Sequence, residues 1–117
     1  LVAVDNTFLG PVFQSPFKLG TDLVLYSATK FLGDHSDIIA GAALSRVADL
    51  INSVRDYRTI LGGTIASDTA WLLTRSIETL WVRMERQAQK ATKVAQVLKD
   101  HPKIKKLLFP GLLSEAD

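Results

Sequence analysis

The 117-residue sequence contains no cysteine, a single methionine and only four prolines, and its charges nearly cancel. Without cysteine there is neither a disulfide framework nor thiolate ligation of a metal, which fits a reducing compartment and makes the cytoplasm the expected location. Fourteen Lys and Arg against twelve Asp and Glu leave a formal net charge of +2, too slight to argue for nucleic acid or an anionic membrane as partner. No apolar run approaches the roughly 20 residues of a membrane-spanning helix, and the N-terminus lacks the basic segment and apolar core of a signal peptide. Internal repeats and low-complexity tracts are absent as well. The one methionine is Met84, so the chain opens directly on "LVAVDN", which reads as the interior of a buried strand. The expectation is a piece of a longer polypeptide.

What is present is ample apolar material, 47% of residues, in a length that allows one domain at most. Leu1 to Val4 is a short apolar run of the kind expected for a parallel strand covered on both faces. Gly10, Pro11 and Pro16 then exclude a long helix, and "FKLGTD" reads as a helical turn closed by Gly20. Asp22 to Tyr26 is a second run, far enough from the first for the crossover that parallel strands require. "IIAGAALS" is a third strand-like run, with Gly41 suggesting close backbone packing.

The rest of the chain reads mostly as helix. "RVADLINSVRDYRTILGG" places Val47, Leu50, Ile51 and Val54 on one face and stops at Gly62-Gly63. From a cap at Ser67 or Asp68, the residues Leu73, Ile77, Leu80, Met84, Ala88, Ala91, Ala95 and Leu98 recur at helical spacing until Asp100-His101-Pro102. One helix of roughly 30 residues, about 45 Å long, is predicted. Such a length suits a strut between domains or a dimer element, with a two-helix hairpin without a visible break, or a plain core helix, as the alternatives. "KIKKLLFPGL" reads as a strand leaving into a turn.

The chemistry lies in the first forty residues. In an open α/β sheet, ligands sit beyond the carboxyl ends of parallel strands. Asp5 ends the first strand in this way, and "SATK", Ser27 to Lys30, follows the second. One carboxylate, two hydroxyls and one amine are thereby directed to one crevice. Pyridoxal phosphate (PLP) needs that set: an amine for its aldehyde, an acid for its pyridine nitrogen and donors for its phosphate. Lys30, Asp5, and Ser27 with Thr29 would supply them. A nucleotide site fits poorly, since neither G-x-x-x-x-G-K-[ST] nor G-x-G-x-x-G occurs.

"VDNTF", "LYSATKFLGDHSDIIAGA", "LLTRSIETLWVRMER" and "FPGL" occur in that order over nearly the whole chain. Together they resemble the Cys/Met-metabolism family of PLP-dependent enzymes, which includes cystathionine γ-lyase, cystathionine β-lyase, cystathionine γ-synthase and methionine γ-lyase. The resemblance implies an α/β fold: part of the large PLP-binding domain of a fold-type I, aspartate aminotransferase-like enzyme, ending at the start of the C-terminal domain. Residues 1–66 would belong to the PLP-binding domain, 67–101 would form the linking helix and 102–117 would begin the C-terminal domain. Position by position, it makes Lys30 the Schiff-base lysine, Asp5 the partner of the pyridine nitrogen, and Ser27 and Thr29 the phosphate ligands. Asn6 matches the family's asparagine and reads as support for the turn, and His35 reads as structural.

The implied reaction is elimination or replacement at the β or γ carbon of a cystathionine-like amino acid. The substrate amine displaces Lys30, and the freed lysine removes the Cα proton. The family also implies a homo-oligomer, a tetramer of paired dimers, with small amino-acid substrates and neither nucleic acid nor membrane as partner. Its ring-stacking aromatic residue, its phosphate loop and a Tyr/Arg pair from a neighbouring subunit come from sequence before Leu1, and its substrate-carboxylate arginine from beyond Asp117. These 117 residues alone are therefore expected to show little or no turnover. Three positions depart from the pattern: Asp34 and Ser76 stand where small residues or glycine are usual, and Leu113 where proline follows "PGL". Leu9, where the methionine γ-lyase branch tends to carry cysteine, favours the cystathionine enzymes. A competing expectation is a non-catalytic assembly or binding module, built on the long helix with "KDHPKIKK" as a basic patch. No metal site is expected.

Overall fold

The computed structural model describes residues 1–112. Its backbone divides into two compact units, Leu1–Trp81 and the chain from Val82 onward. The first unit holds a three-stranded sheet in the order β1-β2-β3, with β1 at Ala3–Asp5, β2 at Leu23–Ser27 and β3 at Gly41–Ser45. β1 and β2 are parallel, pairing Ala3 with Leu23 and Asp5 with Leu25. The connection over residues 6–22 contains a single helical turn, α1 (Gly10–Phe13), and a 3₁₀ turn at Pro16–Leu19. Each carries a proline at its start, where the missing N–H would have no partner anyway. Gly20 closes the second turn at φ 86°, a left-handed conformation open to glycine at no steric cost.

β3 is shorter than the apolar run from Ile38 suggests, and it is antiparallel to β2, with Ser27 opposite Gly41 and Leu23 opposite Ser45. Thr29 explains the late start. Its backbone N–H and its hydroxyl both donate to the Ala40 carbonyl, at 3.2 Å each, and the hydroxyl accepts from the Ala40 N–H at 2.9 Å. Ala40 therefore has no free backbone group to open the ladder one residue earlier. Val24, Ala28 and Ile38 form the buried apolar centre beneath this turn. β1 stands at the edge of the sheet, with Leu1 87% and Val2 53% exposed, as expected of an apolar strand without an outer neighbour.

α2 (Ala48–Leu61) packs against β3 and half-buries Leu50, Ile51 and Val54. It ends at Gly62 with φ 72°, whose N–H caps the Arg58 carbonyl. The predicted 30-residue helix is instead two helices, α3 (Ser67–Ile77) and α4 (Leu80–Lys99). Thr79 breaks it: its N–H and its hydroxyl both donate to the Ser76 carbonyl, at 3.3 and 3.2 Å, taking the acceptor that a continuing helix would offer Leu80. The N-cap of α3 is Ala66, one residue before Ser67 and two before Asp68, the expected caps, and Asp68 lies in the first turn, where its charge complements the helix dipole.

In the second unit, Met84 and Ala95 are buried as the periodicity implied. The strand expected in "KIKKLLFPGL" does not form: His101 to Ile104 make a turn, and Pro110–Leu112 is a 3₁₀ turn. A lone strand has no backbone partners, and Pro110 lacks a donor. Leu113 lies outside the described residues.

Candidate functional site

The site is built where β1 and β2 end and β3 begins. Alternate residues of a strand share a face. Asp5, Leu25, Ser27, Gly41 and Ala43 thus line one side of a cleft of about 700 Å³, and α2 closes the other side with Ile51, Val54, Arg55 and Arg58. Its volume falls within the roughly 300–1,000 Å³ usual for small-molecule sites.

Asp5 is tied to Ser27 through a residue that the sequence reading passed over. The Thr7 hydroxyl donates to Asp5 Oδ1, the Thr7 backbone N–H donates to the same oxygen at 3.0 Å, and the hydroxyl accepts from the Ser27 N–H at 2.7 Å. The relay Ser27 N–H to Thr7 O–H to Asp5 fixes the carboxylate against the carboxyl end of β2. Thr7 also acts electrostatically. Its hydroxyl first, and its N–H second, hold the Asp5 carboxyl below its ordinary value, outweighing the opposing effect of desolvation. Asp5 is therefore an anion near neutral pH. The Asp-x-Thr spacing was the available signal, since a carboxylate commonly accepts from a backbone group two residues on.

Asn6 is buried and serves the turn, as expected. Its Nδ2 donates to the carbonyls of Gly10 at 2.9 Å and Gln14 at 3.3 Å and to the Tyr26 hydroxyl at 3.1 Å. These bonds anchor the chain after Asp5 to α1 and to β2.

Ser27 to Lys30 form a tight turn, with the Lys30 N–H donating to the Ser27 carbonyl at 3.1 Å. Among the described residues the Ser27 hydroxyl has no hydrogen-bond partner, whereas the Thr29 hydroxyl already donates to Ala40. Lys30 is exposed, and its Nζ makes no ion pair or hydrogen bond among the described residues. Lys30 and Thr29 line a second depression of about 450 Å³ with Phe8, Phe31, Asp34 and Ile38. Phe8 and Phe31 meet edge to face there, at a centroid distance of 6.1 Å. The structure thus places Asp5 and Ser27 in one cleft and Thr29 and Lys30 in another, the two joined by a single turn of backbone.

The loop beyond Lys30 is tightly specified. The Gly33 N–H donates to the Ala28 carbonyl at 2.8 Å and the Asp34 N–H to the Lys30 carbonyl at 2.7 Å. Asp34 has φ 61°, a conformation that aspartate is among the residues to tolerate. His35 Nδ1 contacts the Gly33 carbonyl and lies 3.2 Å from Ser76 Oγ.

These groups suit PLP in kind. Asp5 is an anion that could pair with a protonated ring nitrogen, the Ser27 hydroxyl can donate to a phosphate, the amine of Lys30 has no partner among the described residues, and Arg55 and Arg58 add positive charge to the cleft. No cluster of His, Cys, Asp and Glu among the described residues could hold a metal ion. No helix among them is long and apolar enough to cross a membrane.

Comparison with known proteins supplies the family. The sequence model of the family described as Cys/Met metabolism PLP-dependent enzyme matches residues 1–117. The chain is 43% identical over 111 residues to a cystathionine γ-lyase of Bacillus subtilis, covering 95% of this chain and 29% of that protein. It is 41% identical over 117 residues to a chloroplastic cystathionine γ-synthase of Nicotiana tabacum, covering all of this chain and 22% of that one. Its backbone superposes on the crystal structure of a methionine γ-lyase from Micromonospora echinospora with a TM-score of 0.92 at 40% identity, over 95% of this chain and 30% of that one. The chain thus spans under a third of the length of these relatives, and its fold is that of the matching stretch of a fold-type I PLP enzyme.

Proposed function

Because the chain belongs to the Cys/Met metabolism PLP-dependent enzymes, we propose that the whole protein eliminates or replaces a substituent at the β or γ carbon of a cystathionine-like amino acid. PLP, when bound, supplies an aldehyde that condenses with an amine and a conjugated ring that accepts the electrons released from Cα. Lys30 would hold it through Nζ, and the same nitrogen, as a neutral amine, would be the base that takes a proton from the substrate's Cα. Asp5, as an anion, would pair with the ring nitrogen and favour its protonated form. Ser27 and Thr29 would bind the phosphate, and Ser27 is the readier donor because the Thr29 hydroxyl is engaged by Ala40.

The observation that carries this reading is the Thr7 relay, which holds Asp5 ionised and ties it to the turn that presents Lys30. Residues 1–66 are assigned to the PLP-binding domain, 67–101 to the segment leading out of it and 102–117 to the start of the next domain. The substrate is a small amino acid, the assembly a homotetramer and the location cytoplasmic, although one plant relative is chloroplastic.

The test uses the whole protein supplied with PLP. Wild type is expected to show the visible absorbance of lysine-bound cofactor and to release thiol from cystathionine, and Lys30→Ala to lose both. Equal thiol release from the two proteins would end the proposal.

A further inference from the structure

We propose that the backbone of Ala40 is a positioning group for Thr29: it holds the hydroxyl oxygen still while the hydroxyl hydrogen turns from the Ala40 carbonyl to an incoming phosphate. The inference rests on the phosphate-binding role assigned to Thr29. Three hydrogen bonds join the two residues across 11 positions of chain. The Ala40 N–H donates to Thr29 Oγ1 at 2.9 Å, and the Ala40 carbonyl accepts from both the Thr29 N–H and the Thr29 hydroxyl, at 3.2 Å each. Their lengths set them apart. An N–H to oxygen bond of 2.9 Å is at its usual length. Bonds from a hydroxyl to an oxygen are commonest at about 2.7–2.8 Å, so the bond from the Thr29 hydroxyl to the carbonyl is a stretched one.

That bond is also the redundant one. If the hydrogen turns away, the Ala40 carbonyl keeps the Thr29 N–H and Oγ1 keeps the Ala40 N–H, so neither backbone group of Ala40 is left without a partner. A hydroxyl donates one hydrogen and accepts on two lone pairs, and rotation about the Cβ–Oγ1 bond moves the hydrogen without moving the oxygen. The turn exchanges a long neutral bond for a charge-assisted one, a class roughly twice as strong. The bond that Oγ1 accepts from Ala40 assists, because hydrogen bonds in a chain polarise one another. Ser27 differs: its hydroxyl has no partner among the described residues, so its side chain must be ordered when phosphate binds. Thr29 also lies next to Lys30 in the Ser27–Lys30 turn, and a clasp that persists keeps this turn attached to residue 40 while the phosphate is held. Ala40 acts through Thr29 and supplies no bond to the phosphate itself.

The test follows hydrogen exchange at the Ala40 amide in the whole protein, with and without PLP. Borohydride trapping on Lys30 is read alongside, over a range of concentrations of PLP or of pyridoxal, which lacks the phosphate. The Ala40 amide of the unsubstituted protein is expected to stay protected when PLP binds. Thr29→Val keeps the side-chain shape and removes the hydroxyl. It should speed Ala40 exchange about three- to tenfold, the loss of one neutral hydrogen bond. It should also raise the PLP concentration for half-maximal label about ten- to a hundredfold, the loss of one bond to a charged group, and leave pyridoxal labelling unchanged. Thr29→Ser should restore both readouts. Faster Ala40 exchange in the unsubstituted protein on PLP binding would mean that the oxygen leaves Ala40, and would overturn the proposal. So would unchanged Ala40 exchange in Thr29→Val, or an equal loss of PLP and pyridoxal labelling, the mark of a clasp that is only structural. Any of these results together with label at Lys30 leaves the cofactor reading standing. No label at Lys30 in the unsubstituted protein would overturn that reading and the proposal with it, so the two failures are distinguishable.

Discussion

Replacing Gly33 with alanine should destabilise the segment that carries Lys30, by an amount that the surrounding atoms set. A Cβ built there would lie 2.7 Å from Ile38 Cδ1, 2.8 Å from Ile38 Cγ1 and 3.0 Å from the Ala28 carbonyl oxygen. The first atom ends a side chain and could swing aside in a roomy site. Ile38, however, is only 6% exposed, and the carbonyl belongs to the turn whose Gly33 N–H bond closes the loop. Overpacking of this kind costs typically about 1–3 kcal/mol, and the upper half of that range is expected because side chain and backbone are both met. Chemical denaturation of the whole protein would read the loss. Pairing the change with Ile38→Val, which deletes Cδ1 at a cost of roughly 0.5–1.5 kcal/mol on its own, should recover part of it and give a double variant more stable than the sum of the two losses. A Gly33→Ala protein as stable as wild type, or strict additivity, would refute the packing account of this loop.

Thr7→Val should release the Asp5 carboxyl upward toward its ordinary value, followed by carboxyl NMR titration, because the hydroxyl is the largest cause of the depression. Since the folded value lies below the unfolded one, the stability that this pair contributes is complete above the ordinary aspartate range near 3.8 and disappears as pH falls through the lower folded value. Acid unfolding of wild type and Thr7→Val should converge at the lowest pH, and parallel curves throughout would contradict the assignment. Asn6→Leu removes a buried donor of three hydrogen bonds and leaves the Gly10 and Gln14 carbonyls short of a partner, for an expected loss of about 1–3 kcal/mol by urea melt. Gly62→Ala forces a side chain to φ 72° in open space, so strain without any clash should cost about 1 kcal/mol, and Gly62→Asn less.

The parts of this fold that could be read in the sequence are those decided locally. Gly20 and Gly62 end their turns at positive φ where the pattern placed the stops, and the parallel pairing of β1 with β2 follows from two apolar runs and the length between them. The parts that could not be read were settled by side chains competing for backbone groups. Thr29 occupies Ala40 and delays β3, and Thr79 occupies the Ser76 carbonyl and divides a helix whose apolar spacing runs on undisturbed. The site shows the same division. Asp5, Ser27, Thr29 and Lys30 stand out by type and position at strand ends, whereas Thr7 acts through a hydroxyl bridging two strands, which residue type alone does not reveal. Separation of Asp5 and Lys30 into two depressions was invisible as well, because it depends on how the Ser27–Lys30 turn faces the sheet.

The most direct measurement is borohydride reduction of the whole protein with PLP, followed by peptide mass mapping. A single stable label on Lys30, lost in Lys30→Ala and weakened in Asp5→Ala, is the expected result. Label spread over several surface lysines, or a label that survives Lys30→Ala, would contradict the assignment of Lys30 as the residue that holds the cofactor.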